Sequence, residues 1–514
     1  MSRKMIVAVG LTAALLAGCA GTATDGASDS SSMATDPTAT FRYATTYGTS
    51  SFDPHKTKVA QDNILLAQVY DRLVQRDPDA NAIPGLATSW EFAPDGSTLT
   101  LHLREGVVFQ DGTPFDAAAV KANLLRAKEP DSITTTMLAP VDRIDTPDPR
   151  TVVLGLNGPG AQLVLTLSDL PGMMVSPNAF GTPEKDAALV LDPVGAGRYT
   201  VARSTPGAEY EFASWDGYWD AESVGANRFQ WTVMADPQTR LGAVASDQMD
   251  AAIATPLIID PARSQGLDVE VQTSLNHYAL NLNRTRSEFG TVEVRQAVTR
   301  AIDREVLAAT ALEGHGEAAS QNFPSGYFAY NPDLADRFAY SEAEAKDLLA
   351  RAGVPNGFTF TAGVMNLPEN QLIAQIVQEQ LEKVGIRMEI RTMTPQEMSP
   401  VFNRGELDAV LTTVVGRADP SLLLSTYYGA TSPQNPSADA LPGFQEALDA
   451  ANRESDPVRR GELLATASAA AMDQAPMVPL AFSDIGGIVT DRVVGYQPYR
   501  AMDEWGGVGI AAAD

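Results

Sequence analysis

The sequence contains a single cysteine, Cys19, and only four histidines. One cysteine cannot form an internal disulfide or a cysteine-based zinc site. No histidine has a partner four residues away or lies in an H-E-x-x-H motif. The sequence also lacks the G-x-S-x-G motif of serine hydrolases and the Gly-Lys pair of a Walker A loop. We therefore predict a protein that is not an enzyme and that holds no metal or cofactor.

Basic residues are also scarce. The chain has 37 Lys and Arg against 64 Asp and Glu, which gives a net charge of −27. Such a surface repels phosphate backbones, so we expect no nucleic-acid partner. Hydrophobic residues make up 44% and charged residues 20%, which is typical of a globular protein, and 514 residues can form two or more hydrophobic cores.

The N-terminus carries the pattern of an export signal. Two basic residues precede an apolar stretch over residues 5–17, which is too short for a permanent membrane span and ends in the motif L-A-G-C at Cys19. This predicts a signal peptide over residues 1–18. The motif resembles the bacterial lipobox, whose cysteine takes a thioether-linked lipid, and an ordinary cleaved signal is the alternative. Residues 19–40 are rich in small and polar residues and predict a flexible tether.

Hydrophobic periodicity predicts several elements. Residues 358–362 and 386–390 are typical of strands, and residues 372–384 between them have helical spacing. Strand, helix and strand joined by short connections predict a β-α-β unit within a parallel sheet. Residues 62–74 and 291–307 also have helical spacing.

A series of short blocks resembles a known bacterial family. The most specific is L-R-E-G-V-V-F-Q-D-G-T-P-F, over residues 103–115. Further blocks occur in the family's order: residues 52–55, 83–91, 193–199, 294–304 and 345–353. Together they make the chain similar to the periplasmic or lipid-anchored binding proteins for peptides, nickel complexes and related solutes, the family 5 extracellular solute-binding proteins.

The resemblance implies an α/β, two-lobed periplasmic-binding-protein fold of the large, cluster C-like type. It has an extra subdomain in the first lobe and a hinge that the chain crosses twice. We expect lobe I over residues 41–275, lobe II over 276–474 and a return to lobe I over 475–514. The crossings are expected near residues 273–283 and 475–484, which are apolar and strand-like.

The implied function is capture of a solute for an ABC importer. A small-molecule or peptide ligand would bridge the lobes and favour the closed form. The partners would be ABC permease subunits and the membrane, through a lipid at Cys19 on the outer face of the cell membrane, and the protein would be a monomer. A nickel chelate, an oligosaccharide or an opine-like compound is the alternative ligand. A secreted hydrolase or a ligand sensor is the alternative of another class.

The family also implies where the ligand is held. In peptide-binding relatives, a carboxylate of the second lobe grips the ligand's ammonium three residues ahead of an Asp in an Asp-Pro pair. The pair here begins at Asp419, so the matching residue is Gly416, which has no carboxylate. Arg417 follows and can bind a carboxylate with two parallel hydrogen bonds. The alternatives are a salt bridge of Arg417 within the lobe and a helix-capping role for Asp419.

Four aromatic residues complete the candidate site. Tyr47 follows the first predicted strand, Tyr278 and Phe482 lie at the expected hinge crossings, and Tyr427 follows the Asp-Pro pair. Aromatic rings in a cleft provide large apolar surfaces at low entropic cost. The alternative for each is a place in the hydrophobic core.

Overall fold

The computed structural model describes residues 35–57, 62–286, 288–417, 419–432, 434–501 and 504–512. The predicted signal peptide, Cys19 and the tether up to residue 34 lie outside the described residues. No helix within these ranges is long and apolar enough to span a lipid bilayer.

The elements up to the hinge are strands and mostly short helices. In chain order they are β1 (Thr40–Thr45), α1 (Asn63–Leu66), β2 (Val74–Arg76), β3 (Ala82–Pro84), β4 (Ala87–Phe92), β5 (Thr98–Leu103), α2 (Ala117–Ala127), β6 (Val141–Asp148), β7 (Thr151–Leu156), α3 (Leu163–Thr166), α4 (Pro183–Ala188), β8 (Tyr199–Thr205), β9 (Glu209–Ser214), β10 (Arg228–Val233), α5 (Pro237–Ala245), β11 (Ala251–Ala254), α6 (Pro256–Ser264) and β12 (Asp268–Leu282).

The elements after the hinge are richer in helix. They are α7 (Val292–Arg300), α8 (Arg304–Ala311), β13 (Gly316–Ala318), α9 (Glu342–Arg351), β14 (Thr359–Met365), α10 (Pro368–Glu382), β15 (Arg387–Met393), α11 (Pro395–Asn403), β16 (Ala409–Val414), α12 (Pro420–Tyr428), α13 (Phe444–Arg453), α14 (Pro457–Asp473), β17 (Met477–Val489), β18 (Val493–Val494) and β19 (Gly509–Ile510).

One large sheet runs through the molecule in the order β15-β14-β16-β12-β17-β11-β1-β10-β9-β8, with β13 paired to β17. We call the part from β11 to β8 the first lobe and the part from β15 to β16 the second lobe. The long antiparallel strands β12 and β17 belong to both. Their pairing shifts register between Thr273 and His277, opposite Asp484 and Phe482, and we call this stretch the hinge.

Each part of the molecule has its own hydrophobic core. In the first lobe, Phe41, Tyr43, Phe229, Trp231 and Trp505 pack together around β1 and β10. A separate four-stranded sheet, β4-β5-β7-β6, packs against α2 and forms an extra subdomain with a core of its own. The second lobe has a core between its sheet and helices α7 to α10. Separate cores let the parts move as units.

The predicted β-α-β unit is confirmed. Strands β14 and β15 pair in parallel, with Thr359 opposite Arg387 and Met365 opposite Met393, and α10 connects them. The helix ends before Gly385, which has a φ of +86°. Glycine adopts this left-handed conformation without a Cβ clash. The helix therefore ends close to the position that the sequence predicts.

Two helix predictions were too long. The stretch over residues 62–74 forms only the short α1, because Gly197 N and Tyr199 N donate to the carbonyls of Val69 and Gln68 instead. The stretch over residues 291–307 is two helices, since Asp303 caps α8 by accepting a hydrogen bond from Val306 N at 3.0 Å. At both breaks, a backbone group forms a hydrogen bond that it could not form within a continuous helix.

Candidate ligand-binding site between the lobes

The parallel strands of both lobes end towards the hinge. In the first lobe, β11 is parallel to β1, and its last residue, Ala254, lies opposite Gly486 of β17, near the hinge. In the second lobe, β16 is parallel to β14, and its last residue, Val414, lies opposite His277 at the hinge. Ligands of α/β sheets bind beyond the carboxyl ends of the strands. The loops that follow these strands therefore form the candidate cleft.

Gly416 lies in the loop after β16 and packs tightly on the hinge. Its backbone N–H donates to Asn276 Oδ1 at 2.7 Å. A Cβ on Gly416 would lie 2.5 Å from Leu275 Cβ, which is closer than real carbon atoms approach. The position that the family resemblance matches to a ligand-gripping carboxylate therefore has no room for a side chain here.

Arg417 follows Gly416 in this loop, and Tyr427 lies in α12, the next helix of the chain. The Arg417 side chain is half-buried, and its Nε is buried without a hydrogen-bond acceptor. No ion pair of Arg417 occurs within the described residues, so the alternative of a salt bridge within the lobe is not observed there. Burial raises the pKa of Tyr427, and the positive charge of Arg417 opposes that shift. A guanidinium whose Nε has no acceptor can receive an anionic group.

The carboxylate of Asp419 is engaged in hydrogen bonds within the protein. Its carboxylate is fully buried and accepts hydrogen bonds from Ser421 N at 2.9 Å and from both terminal nitrogens of Arg460, at 2.7 and 2.8 Å. The alternative role of Asp419 as a helix cap is thus observed, at the start of α12. Because both oxygens are engaged, we assign Asp419 to holding the loop of Arg417 rather than to the ligand.

Two of the other predicted aromatic residues, Tyr278 and Phe482, lie on the hinge strands, and Tyr47 follows β1. Phe482 is 1% exposed and packs on the His277 ring, with 5.0 Å between ring centroids. Tyr278 is half-buried in β12. Tyr47 is half-buried after β1, and its carbonyl accepts a hydrogen bond from Trp231 Nε1 at 3.2 Å. Their role as ligand contacts stays a prediction.

Arg240 and Glu369 were missed in the sequence. Arg240 of α5 is 1% exposed; its Nη1 donates to the carbonyls of Met234 and Ala235 at 2.8 and 2.9 Å, but its buried Nε has no acceptor. Glu369 lies in the first turn of α10, after β14. Burial lowers the pKa of Arg240, and Glu369 is among the anionic groups that oppose the shift.

Glu369 also acts on the hinge strand. Burial raises the pKa of Tyr278 well above its usual range, and the Glu369 carboxylate adds to that shift. Arg240, Tyr278 and Glu369 lie on three separate elements, α5, β12 and α10, and no sequence motif joins them.

His277 is the most deeply buried titratable group of the hinge. It is 0% exposed, and an interaction with the Leu275 backbone opposes the effect of that burial only in part. Burial lowers its pKa to about 3, so the imidazole is neutral in the folded protein at pH 7. Within the described ranges, no group of three or more His, Cys, Asp or Glu side chains could hold a metal ion.

Comparisons with known proteins agree with this architecture. Residues 81–435 match the bacterial extracellular solute-binding proteins, family 5. The glutathione-binding protein GsiB of Pectobacterium atrosepticum is 29% identical over 403 residues, which are 76% of this chain and 74% of the relative. GsiB of Escherichia coli K12 is 26% identical over 511 residues, which are 96% of each chain.

Solved structures of ABC solute-binding proteins share the fold. The periplasmic binding protein DppA from Helicobacter pylori, in complex with peptide STSA, has a TM-score of 0.78 at 24% identity and covers 92% of this chain and 98% of its own. AgaA from Agrobacterium, in complex with agropinic acid, has a TM-score of 0.78 at 24% identity, covering 93% and 99%. The expected two-lobed periplasmic-binding-protein fold is confirmed, and the chain belongs to the bacterial extracellular solute-binding proteins of family 5.

Proposed function

We propose that this protein captures a peptide or peptide-like solute in the cleft between its lobes and delivers it to the permease subunits of an ABC importer. It acts as a monomer on the outer face of the cell membrane, held by a lipid on Cys19. The names of its relatives support this proposal, since they include glutathione-binding proteins and a complex with a peptide.

One observation carries the choice of ligand. Within the described residues, Arg417 in the loop after β16 forms no ion pair and its buried Nε has no acceptor, and its charge acts on Tyr427 of α12. A carboxylate of the solute satisfies this group with two parallel hydrogen bonds, and the aromatic ring packs on the adjacent chain. The solute's amino group cannot be recognised at residue 416, because Leu275 occupies the space of a side chain there.

Binding works through closure and not through bond chemistry. The lobes are joined by two strands that change register at the hinge, so they can rotate about it while each core stays intact. A solute that contacts both lobes prefers the closed form and shifts the population towards it. The permease then distinguishes the loaded protein from the empty one by the arrangement of the lobes.

The test is a binding screen with the part of the chain that follows the lipid-bearing Cys19, residues 20–514. Thermal unfolding is followed with peptides, nickel chelates and oligosaccharides, since a ligand of the native state stabilises it by about 2.7 kcal/mol at a hundredfold excess over its dissociation constant. We expect peptides to raise the melting temperature, and Arg417→Ala to remove most of that shift. Arg387→Ala, at an exposed arginine of the same lobe, is the control and should keep it.

The alternatives give different outcomes. Shifts with sugars or chelates alone would keep the transport role and overturn the peptide proposal. Turnover of a library member by the purified protein would favour the secreted hydrolase. A stabilising peptide that is not taken up by cells expressing the importer would favour a sensor.

A further inference from the structure

The hinge contains a bulge whose residues leave the regular pairing of the sheet. The register of β12 on β17 passes from Thr273 opposite Asp484 to His277 opposite Phe482, so residues 274–276 have a single residue of β17 opposite them. The pairing of β12 with β16 also begins only at His277. Because a buried backbone group without a partner is costly, the bulge needs partners from elsewhere in the chain.

On one side, the bulge holds the loop that carries Arg417. The Gly416 N–H donates to Asn276 Oδ1 at 2.7 Å, and the backbone N–H of Asn276 donates to Ser274 Oγ at 2.8 Å. Leu275 packs so closely on Gly416 that an added Cβ would lie 2.5 Å from the Leu275 Cβ. One hydrogen bond and one tight contact therefore join the loop to the bulge, and neither can move without the other.

On the other side, the bulge is held by the segment between β18 and β19. The Leu275 N–H donates to the Arg500 carbonyl at 2.9 Å, and Arg500 Nη1 donates to the Thr273 carbonyl at 3.3 Å. Tyr496 and Trp505, which flank Arg500 in the chain, pack in the core of the first lobe. Arg500 is thus carried by the first lobe and contacts the hinge directly.

A turn of the extra subdomain fixes Arg500 in place. The Arg500 N–H donates to the Pro78 carbonyl at 3.0 Å, and Arg500 Nε donates to Asp79 Oδ1 at 3.2 Å. Gln272 Nε2, just before the bulge, donates to the same Pro78 carbonyl at 3.0 Å. Direct contacts therefore run from the first lobe and its extra subdomain, through the bulge, to the loop after β16.

We propose that Asn276 is a positioning residue through which the first lobe sets the position of the loop that carries Arg417. Lobes rotate through changes in the backbone angles of a few hinge residues, and the sheet does not fix those angles in the bulge. A rotation that displaces Arg500 from the second lobe pulls on residues 274–276 and hence on Gly416. The loop keeps its position only while the lobes keep their arrangement.

This inference goes beyond the proposed function, because it concerns the solute-free protein and does not depend on which solute binds. A loop whose position follows the lobe arrangement makes a binding site that is complete in one arrangement and incomplete in another. The alternative is that Asn276 only stabilises the fold of the second lobe, in which case the first lobe has no influence on Gly416.

The first experiment follows amide hydrogen exchange of Gly416 in the solute-free chain of residues 20–514, resolved by mass spectrometry with electron-transfer fragmentation. Asn276→Ala removes the acceptor of this amide and should speed its exchange about three- to tenfold, as the loss of one hydrogen bond implies. Asn276→Asp keeps an oxygen acceptor and should restore slow exchange. Unchanged exchange in Asn276→Ala would overturn the proposal.

Asn283→Ala is the matched control within the second lobe. Asn283 is 0% exposed, and its Nδ2 donates to the Leu407 carbonyl at 2.9 Å, at the opposite end of β16 from Gly416. Its substitution therefore removes a comparable buried hydrogen bond from the same lobe and should leave the exchange of Gly416 unchanged. Equal acceleration in Asn276→Ala and Asn283→Ala would show a general loss of stability and contradict the positioning role.

A second pair of variants tests the link to the first lobe. Arg500→Ala removes the side-chain contacts with Asp79 and Thr273 and should speed the exchange of Gly416 by about twofold or more. Arg492→Ala should not, because Arg492 pairs with Asp250 of the first lobe, at 2.9 Å, and not with the bulge.

The two effects should not add. In Asn276→Ala the hydrogen bond that protects Gly416 is already lost, so Arg500→Ala should cause no further acceleration. An additive effect, or no effect of Arg500→Ala in the otherwise unchanged chain, would overturn the proposal. Should Asn276→Ala fail to fold, the comparison of Arg500→Ala with Arg492→Ala still decides.

No solute is present in these measurements, so they are independent of the binding screen. If no peptide binds while the exchange results hold, the proposed function fails and this inference stands. If peptides bind while Gly416 exchanges at the same rate in all the variants, only this inference fails.

Discussion

The carboxylate of Asp419 and the guanidinium of Arg460 form a bidentate ion pair, with oxygen–nitrogen distances of 2.7 and 2.8 Å. Asp419 is 0% exposed and Arg460 6% exposed, so the pair is closed off from water. It ties the loop after β16, which carries Arg417, to helix α14. The ion pair and the cap of α12 therefore fix the position of the loop that carries Arg417.

Breaking this pair should destabilise the protein strongly. Asp419→Asn leaves Arg460 buried with a neutral partner, and we expect the free energy of unfolding to fall by about 3–5 kcal/mol. Urea unfolding measures it. The matched control is Asp473→Asn, which breaks the exposed pair with Arg337 and should cost less than about 1 kcal/mol. Equal losses in the two variants would contradict the importance of burial.

Gly416 should tolerate no side chain. Gly416→Ala places a Cβ 2.5 Å from Leu275 Cβ, so the loop or the hinge must move, and we expect a loss of about 1–3 kcal/mol. Gly416→Asp should lose at least as much and should not improve binding of a peptide's amino group. Gly242→Ala is the control, since nothing lies within 4 Å of its added Cβ, and it should not destabilise. Unchanged stability of Gly416→Ala would refute the close contact.

His277 should make stability depend on pH. Its pKa is about 3 in the folded protein, from an ordinary value of 6.5, so below pH 6.5 the unfolded chain binds a proton that the buried imidazole does not. Stability is therefore highest above pH 6.5 and falls as the pH decreases towards 3, by at most about 1.4 kcal/mol per pH unit from this group.

Urea unfolding between pH 6.5 and 5 checks this prediction, because most carboxylates stay ionised there. His277→Gln should reduce the slope of stability against pH. His102→Gln, at an imidazole whose side chain is 46% exposed, should leave the slope unchanged. The buried His55 also has a pKa of about 3, so part of the slope remains in His277→Gln. An unaltered slope would show that His277 takes no part.

Cys19 should decide where the protein resides. In a bacterial host, Cys19→Ser should move the chain from the membrane fraction to the soluble fraction and abolish incorporation of labelled palmitate, because a hydroxyl cannot form the thioether. Solute binding should be unchanged. Soluble wild-type protein without label would favour the ordinary cleaved signal instead.

Much of the local structure is visible in the sequence. Asp116 caps α2, and Ser341 accepts a hydrogen bond from Glu344 N at the start of α9, since side chains and backbone groups a few residues apart meet whatever the fold. The missed breaks at α1 and α8 have a different cause. There a backbone group is held by a residue distant in the chain or by a cap that periodicity alone does not reveal.

The sequence by itself determined the family, the β-α-β unit and the absence of a carboxylate at residue 416, because each depends on residue identity and short-range order. Only the tertiary structure decided why residue 416 is glycine and where Asp419 finds its partner. Those facts depend on contacts between elements far apart in the chain. Such contacts are set by the packing of the lobes on β12 and β17, which no local pattern encodes.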